Sequence, residues 1–142
     1  MITETRFPVR YAETDQMGIV HHSVYPIWFE CGRTDFIKHY GISYNELEEL
    51  GLMLPLIRLT CEYKNPVKYG DSVLVKTRLI KATKVRLVLG YEIYAENKNL
   101  FCVKGSTEHA WTAPNLKPVN ISKYKPEIFK KLVPMYNSVT GE

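Results

Sequence analysis

The stretch from Val24 to Tyr40 constrains the fold of this chain more than any other. Its apolar residues are Val24, Ile27, Trp28, Phe29, Cys31, Phe36 and Ile37, and they cover most of a helix circumference instead of forming one stripe. A helix apolar nearly all round is normally a buried one. Ser23 is a good N-cap for it, Pro26 falls in the first turn, where a missing N–H costs little, and Gly41 suits a left-handed cap at its end. Gly32, in the middle, costs roughly 1 kcal/mol against Ala, which points to a close packing contact there. Ser43-Tyr-Asn-Glu46 has the form of a capping box and opens a short second helix to about Leu50.

Around that helix the texture changes to period 2. Thr5 to Tyr11 reads as a strand, and after Gly51 so does Leu54 to Lys64. Asn65 to Asp71 is a turn region by composition. Ser72 to Thr83 follows as a strand with Val73, Val75, Thr77 and Leu79 on one face. Val85 to Glu96 is another, with Val85, Leu87, Leu89, Tyr91 and Ile93 aligned. Glu96-Asn-Lys-Asn99 reads as a hairpin turn, Leu100 to Thr112 as the last long strand, and Pro126 to Leu132 as a short helix. Strands joined by short turns pair antiparallel. One apolar helix and one sheet must cover each other. The expected class is α+β, a curved antiparallel sheet wrapped around one long central helix. The chain from 1 to 142 is expected to be one domain, with its last ~25 residues at the periphery.

Composition narrows the function. Apolar residues make up 45% and charged residues 24%, the balance of a globular chain. No segment approaches the ~18 apolar residues of a membrane span. The opening residues, Met1 to Pro8, have no basic segment followed by an apolar run, so the expected location is cytoplasmic. Cys31, Cys61 and Cys102 are odd in number and widely spaced, which suggests neither a disulfide framework nor a metal site. The net charge is +4, but between Lys64 and Arg86 seven basic residues face a single acid, Asp71. Such a region can meet phosphates or simply be a solvated strand face. No nucleic-acid motif accompanies it, so nucleic acid is not the expected partner.

The loop from Ala12 to Ser23 carries Glu13, Asp15, His21 and His22 at the mouth of the apolar helix. A helix start offers free N–H groups and about half a positive charge. Beside a carboxylate, that arrangement can polarise a carbonyl and supply a base or nucleophile. Gly18 lets the loop backbone come close to a ligand. On generic grounds a loop acid before a helix is as readily a cap as a catalytic group, and two adjacent histidines are as readily surface polarity as a site. A serine-hydrolase elbow, a P-loop and a zinc-protease motif are all absent from the sequence.

The run from Arg10 to Asp35, Arg-Tyr-Ala-Glu-Thr-Asp-Gln-Met-Gly-Ile-Val-His-His-Ser-Val-Tyr-Pro-Ile-Trp-Phe-Glu-Cys-Gly-Arg-Thr-Asp, resembles the signature of the 4-hydroxybenzoyl-CoA thioesterase family. More narrowly it resembles the acyl-CoA thioesterase branch associated with the Tol-Pal system. The resemblance extends from about Phe7 to Trp111 and includes Tyr63-Lys-Asn-Pro-Val-Lys-Tyr-Gly-Asp71. It implies the hotdog fold, assembly as a homodimer or homotetramer, and hydrolysis of an acyl-CoA to acid and free CoA without metal or cofactor. The family's catalytic aspartate falls on Asp15, as nucleophile or as the base that activates water. The helix-start amide that polarises the thioester carbonyl falls on His22. Tyr25 is implied near the acyl end, and Lys81, Lys84 and Arg86 are the candidates for the CoA phosphates. Gln16-Met17 departs from the small residues common in relatives. An acyl-carrier-protein thioesterase and a non-catalytic acyl-CoA binding module are the alternatives.

Overall fold

A single antiparallel sheet organises the chain, in a computed structural model that describes residues 1–140. The elements in order are β1 (Ile2–Pro8), α1 (Tyr25–Lys38), α2 (Tyr44–Glu49), β2 (Leu56–Tyr63), β3 (Ser72–Ala82), β4 (Arg86–Ala95), β5 (Leu100–Ala110), α3 (Ile121–Tyr124) and α4 (Pro126–Thr140). The strand order is β1-β3-β4-β5-β2. Register shifts between Leu79 and Lys81, between Ile93 and Tyr94, and between Leu56 and Arg58 mark local bulges. Bulges bend strands and raise their twist, and this sheet curves around α1 in the hotdog arrangement.

The period-2 reading of β3 and β4 carries into the structure except at its ends: Leu79 is only partly buried, and Val85 precedes β4 and is exposed. Val73, Val75 and Thr77 are buried on one face of β3, and Leu87, Leu89, Tyr91 and Ile93 on one face of β4. Against them α1 presents Tyr25, Trp28, Phe29, Gly32, Phe36 and Ile37. Gly32 lets the helix backbone settle on β3, because a Cβ there would collide with the Thr77 hydroxyl. Phe29 stacks on Tyr91 with ring centroids 4.5 Å apart. Ser43 caps α2 by accepting from the Glu46 N–H at 3.2 Å.

Several expectations need correcting. The helix is not buried on every side: Ile27 is 55% exposed, and Glu30 and Asp35 share the open side, because the single sheet covers only one face. It starts at Tyr25, with Val24 and not Ser23 at the cap; the Ser23 hydroxyl is engaged with His21 instead. The first strand ends at Pro8 and not Tyr11, since reciprocal bonds between Arg10 and Glu13 turn the chain into a short 3-10 turn. Strand β2 does not pair with β3 but crosses to the far edge beside β5. The C-terminal segment is not peripheral. Ile121, Leu132 and Met135 are fully buried in the common core, and α4 runs well past Leu132.

Candidate active site

The loop between β1 and α1 closes on itself before it reaches the helix. The Asp15 N–H donates to the Ile19 carbonyl at 2.8 Å, and the Gly18 N–H to the Asp15 carbonyl at 3.0 Å. Gly18 takes φ +75, a left-handed conformation that glycine adopts without strain. Within this turn Asp15 Oδ1 accepts from the Met17 N–H at 2.8 Å and the Ile19 N–H at 3.2 Å. Asp15 is partly buried, and its Oδ2 has no hydrogen-bond partner among the described residues. One carboxylate oxygen is therefore fixed by backbone amides while the other is left over.

Glu13, the neighbouring acid, is fully committed. Its carboxylate accepts from the Trp28 indole N–H at 2.8 Å and the Arg10 N–H at 2.7 Å, and pairs with the Arg10 guanidinium at 3.2 Å. The connection between β2 and β3 holds the far side of the loop. Val20 N–H donates to the Val67 carbonyl at 2.8 Å, and Tyr69 N–H to the Gly18 carbonyl at 2.9 Å.

At the helix mouth His21 and His22 stack their rings 4.1 Å apart. The Ser23 N–H donates to His21 Nδ1 at 3.2 Å, and the Val24 N–H to the His21 carbonyl at 3.0 Å. The His22 N–H finds no acceptor among the described residues. Free N–H groups at a helix start attract a negatively charged oxygen. A cleft of about 280 Å³ opens at this point, walled by Ile19, Val20, His22, Tyr25, Tyr63 and Lys64. The structure thus brings His22 and Tyr25 to one cleft. Asp15 and Gly18 stand behind Ile19, whose N–H binds the Asp15 carboxylate. The Tyr25 ring is buried, and its hydroxyl accepts from the Val67 N–H at 3.3 Å; burial pushes that phenol above its ordinary value.

Tyr63 belongs to this cleft and was not singled out from the sequence, although it stands at the head of the motif ending at Asp71. Its hydroxyl donates to the His22 carbonyl at 3.1 Å, and its ring packs edge-on against Tyr25 at 5.5 Å. A hydrogen-bonding interaction with the Cys61 thiol, together with burial, pushes the Tyr63 phenol up to about 12, so it remains a proton donor near neutrality.

The basic candidates lie elsewhere. Along β5, Val103 pairs with Tyr63 and Ala110 pairs with Arg86, a separation of roughly 23 Å at the usual strand rise. Lys81 and Arg86 line a small cavity of about 110 Å³ at that end with Glu108, and Arg86 is ion-paired to Glu108 at 2.7 Å. Lys84 sits in the turn between β3 and β4, its carbonyl accepting from the Ile121 N–H. Within one protomer these three residues do not join the cleft at His22. Among the described residues no three His, Cys, Asp or Glu side chains converge as metal ligands would, and no helix is long and apolar enough to cross a membrane.

The chain is similar to known proteins in both sequence and fold. The sequence profile of the thioesterase-like superfamily matches residues 9–126. YneP of Bacillus subtilis, provisionally named an acyl-CoA thioesterase, is 34% identical over 137 residues, covering 96% of this chain and 94% of that protein. The DHNA-CoA thioesterase of Staphylococcus aureus superposes with a TM-score of 0.88 at 35% identity, covering 94% of this chain and 90% of the other. The Thermus thermophilus protein TT1821 superposes with a TM-score of 0.84 at 33% identity, covering 94% and 97%.

Proposed function

Because the chain belongs to the thioesterase-like superfamily and is a thioester hydrolase, we propose that it hydrolyses an acyl-CoA at the cleft beside Asp15 and His22. The observation that carries this reading is the pairing of a half-committed carboxylate with an unpaired amide at a helix mouth. The thioester carbonyl accepts from the His22 N–H, which polarises it and holds the oxyanion as the tetrahedral carbon forms. Asp15 Oδ2 removes a proton from water, whose oxygen adds to that carbon, or adds to the carbon itself with water following. The C–S bond then breaks, and CoA leaves as a thiolate that takes up a proton. Gly18 keeps the turn tight beneath the carboxylate, and Tyr25 and Tyr63 wall the acyl end. The long motif from Arg10 to Asp35 supports the 4-hydroxybenzoyl-CoA thioesterase family and its Tol-Pal-associated branch as the functional class, working in the cytoplasm on a diffusible substrate.

Strand β2 supports a homodimer. Among the described residues only one of its edges is paired, and Leu56, Ile57 and Leu59 are exposed along the strand. An apolar edge strand left bare invites another strand. If β2 of a second copy pairs antiparallel on that edge, the end that bears Lys81, Lys84 and Arg86 in one protomer comes beside the His22 cleft of the other. CoA bound at the cleft then lays its phosphates on the partner's basic residues, which resolves their distance within a single protomer. A homotetramer would be built from two such dimers.

Release of free thiol from acyl-CoAs tests the proposal. Asp15→Asn retains an oxygen for the Met17 and Ile19 amides, so the turn stays intact while the base or nucleophile is lost. The expected fall in kcat is on the order of 10²–10⁴. Hydrolysis by the variant at the parent rate would remove Asp15 from the chemistry.

A further inference from the structure

Arg33 is a cation that the proposed chemistry does not use. It lies about two helical turns beyond Tyr25 on α1, is partly buried, and forms no ion pair with any described residue. Its Nε donates to the Tyr44 hydroxyl at 2.8 Å, and Nη1 reaches the Tyr91 hydroxyl at 3.5 Å. Tyr91 is in turn bonded to Thr107 at 2.6 Å. Among the described residues Nη2 has no partner, nor does the hydrogen of the Tyr44 hydroxyl, whose oxygen already accepts from Arg33. Both residues line a cavity of about 330 Å³ together with apolar side chains, among them Leu47, Leu52, Met53 and Leu54, and with Glu30 and Glu48. Both glutamates are exposed to solvent and pair with neither Arg33 nor Tyr44. The cavity therefore offers hydrogen-bond donors, one of them charged, that the two exposed carboxylates sharing its walls leave unpaired. A partly buried guanidinium without a carboxylate is costly unless something accepts from it.

This cavity and the His22 cleft lie along the same strand. The inward face of β2 presents Leu56, Leu59, Cys61 and Tyr63, paired with His109, Thr107, Gly105 and Val103. Leu56, Leu59 and Tyr63 remain exposed because α1 packs chiefly on β1 and β3 and covers β2 only lightly. Tyr63 marks the His22 end. Leu59 marks the level of Thr107, and thus of the Tyr91 and Arg33 cluster. Four residues of strand separate the two, about 13 Å.

We propose that the Arg33 cavity receives the far end of the acyl group, and that it selects acyl groups carrying an oxygen acceptor there, either a terminal carboxylate or a ring hydroxyl. Arg33 and Tyr44 are on this assignment the residues that set specificity. The assignment rests on the reading of the His22 cleft as the thioester site. An unsubstituted acyl end would leave both donors dry and unpaired, which is why the discrimination falls on the polar atom and not on length.

The test compares kcat/KM within matched pairs: octanedioyl-CoA against octanoyl-CoA, and hydroxynaphthoyl-CoA against naphthoyl-CoA. The parent should prefer the polar-ended member of at least one pair by about tenfold or more, the worth of a hydrogen bond to a charged donor. Which pair shows the preference separates carboxylate from hydroxyl. Arg33→Met should erase it. Tyr44→Phe, which keeps the ring and removes only the hydroxyl, should reduce it and stands in if the Arg33 variant does not fold. Thiol release from all four substrates without preference overturns the Arg33 assignment alone, as does a preference that survives both variants. No thiol release from any of them overturns the thioesterase reading, and this assignment with it.

Discussion

The polar cluster beneath Arg33 makes the stability of the fold depend on pH in a way that can be worked out beforehand. His109 on β5 is 1% exposed. Its Nδ1 faces the Leu54 carbonyl at 3.2 Å and its Nε2 the Thr107 hydroxyl at 2.8 Å. The carbonyl can only accept, so the network assigns the proton to Nδ1 and lets Nε2 accept from Thr107. Burial, and then the nearby Arg33 charge, lower the imidazole from its ordinary 6.5 to about 4, with the Leu54 carbonyl pulling weakly the other way. In the unfolded chain the same group titrates near its ordinary value. Between those two pH values the unfolded chain holds a proton that the native protein does not, so stability falls as the solution is acidified. The loss begins as pH drops below about 6.5, reaches about 2 kcal/mol near pH 5, and levels off near 3 kcal/mol below about 4. Urea unfolding of the parent and of His109→Gln at about pH 7 and pH 5 checks this. The variant should be weaker at neutrality, having lost buried hydrogen bonds, yet its midpoint should fall less on acidification. Parallel loss in the two proteins would mean that His109 is not the group responsible.

Three further outcomes follow from contacts at and around the cleft. Tyr63→Phe removes the donor to the His22 carbonyl and should lower kcat by about tenfold while costing about 1 kcal/mol of stability or less, read by thiol release and denaturant unfolding side by side. Gly105→Ala would put a Cβ 2.5 Å from the Phe29 ring and the Thr60 carbonyl, so a loss of about 1–3 kcal/mol in thermal unfolding is expected. Leu59→Arg on the free edge of β2 should shift the mass measured by light scattering toward the monomer and reduce turnover of acyl-CoA. An unchanged mass would place the dimer contact elsewhere.

The parts of this fold that were legible in the sequence are those decided locally. Alternation along β3 and β4 identifies their buried faces, because one strand face meets the helix layer. The capping box at Ser43 is read from four consecutive residues. Elements decided by distant partners were not legible. Strand β1 is fixed by its register against β3, where Ile2 opposes Arg78 and Pro8 opposes Ser72, and propensity alone carries no such information. The sequence reading ended the last helix at Leu132, ahead of Pro134. The structure runs it through that proline to Thr140, because Leu132, Met135 and Tyr136 are buried and outweigh a lost backbone bond. The candidate site divides the same way. Asp15, Gly18, His22 and Tyr25 lie within one contiguous loop and helix start. Tyr63, Lys64 and Arg33 reach their cavities only through the crossing of β2 to the far edge and the packing of α1, which no local pattern announces.

That crossing also explains why chemistry collects at this edge of the sheet. Trp28, Phe36 and Ile37 fill the space between α1 and the sheet, and Phe29 is seated against Gly105 and Tyr91. The helix is thereby held toward β1 and β3, and it meets β2 only lightly, through Tyr25 against Tyr63. The result is a strand whose inward face is apolar and only lightly covered, and whose outer edge is unpaired among the described residues. Exposed apolar surface of this kind is stable only when something covers it. An acyl chain along the inward face and a second β2 along the edge cover it at once. If the proposed dimer forms on this edge, the same strand couples substrate binding to assembly, and a Leu59→Arg variant should lose both together.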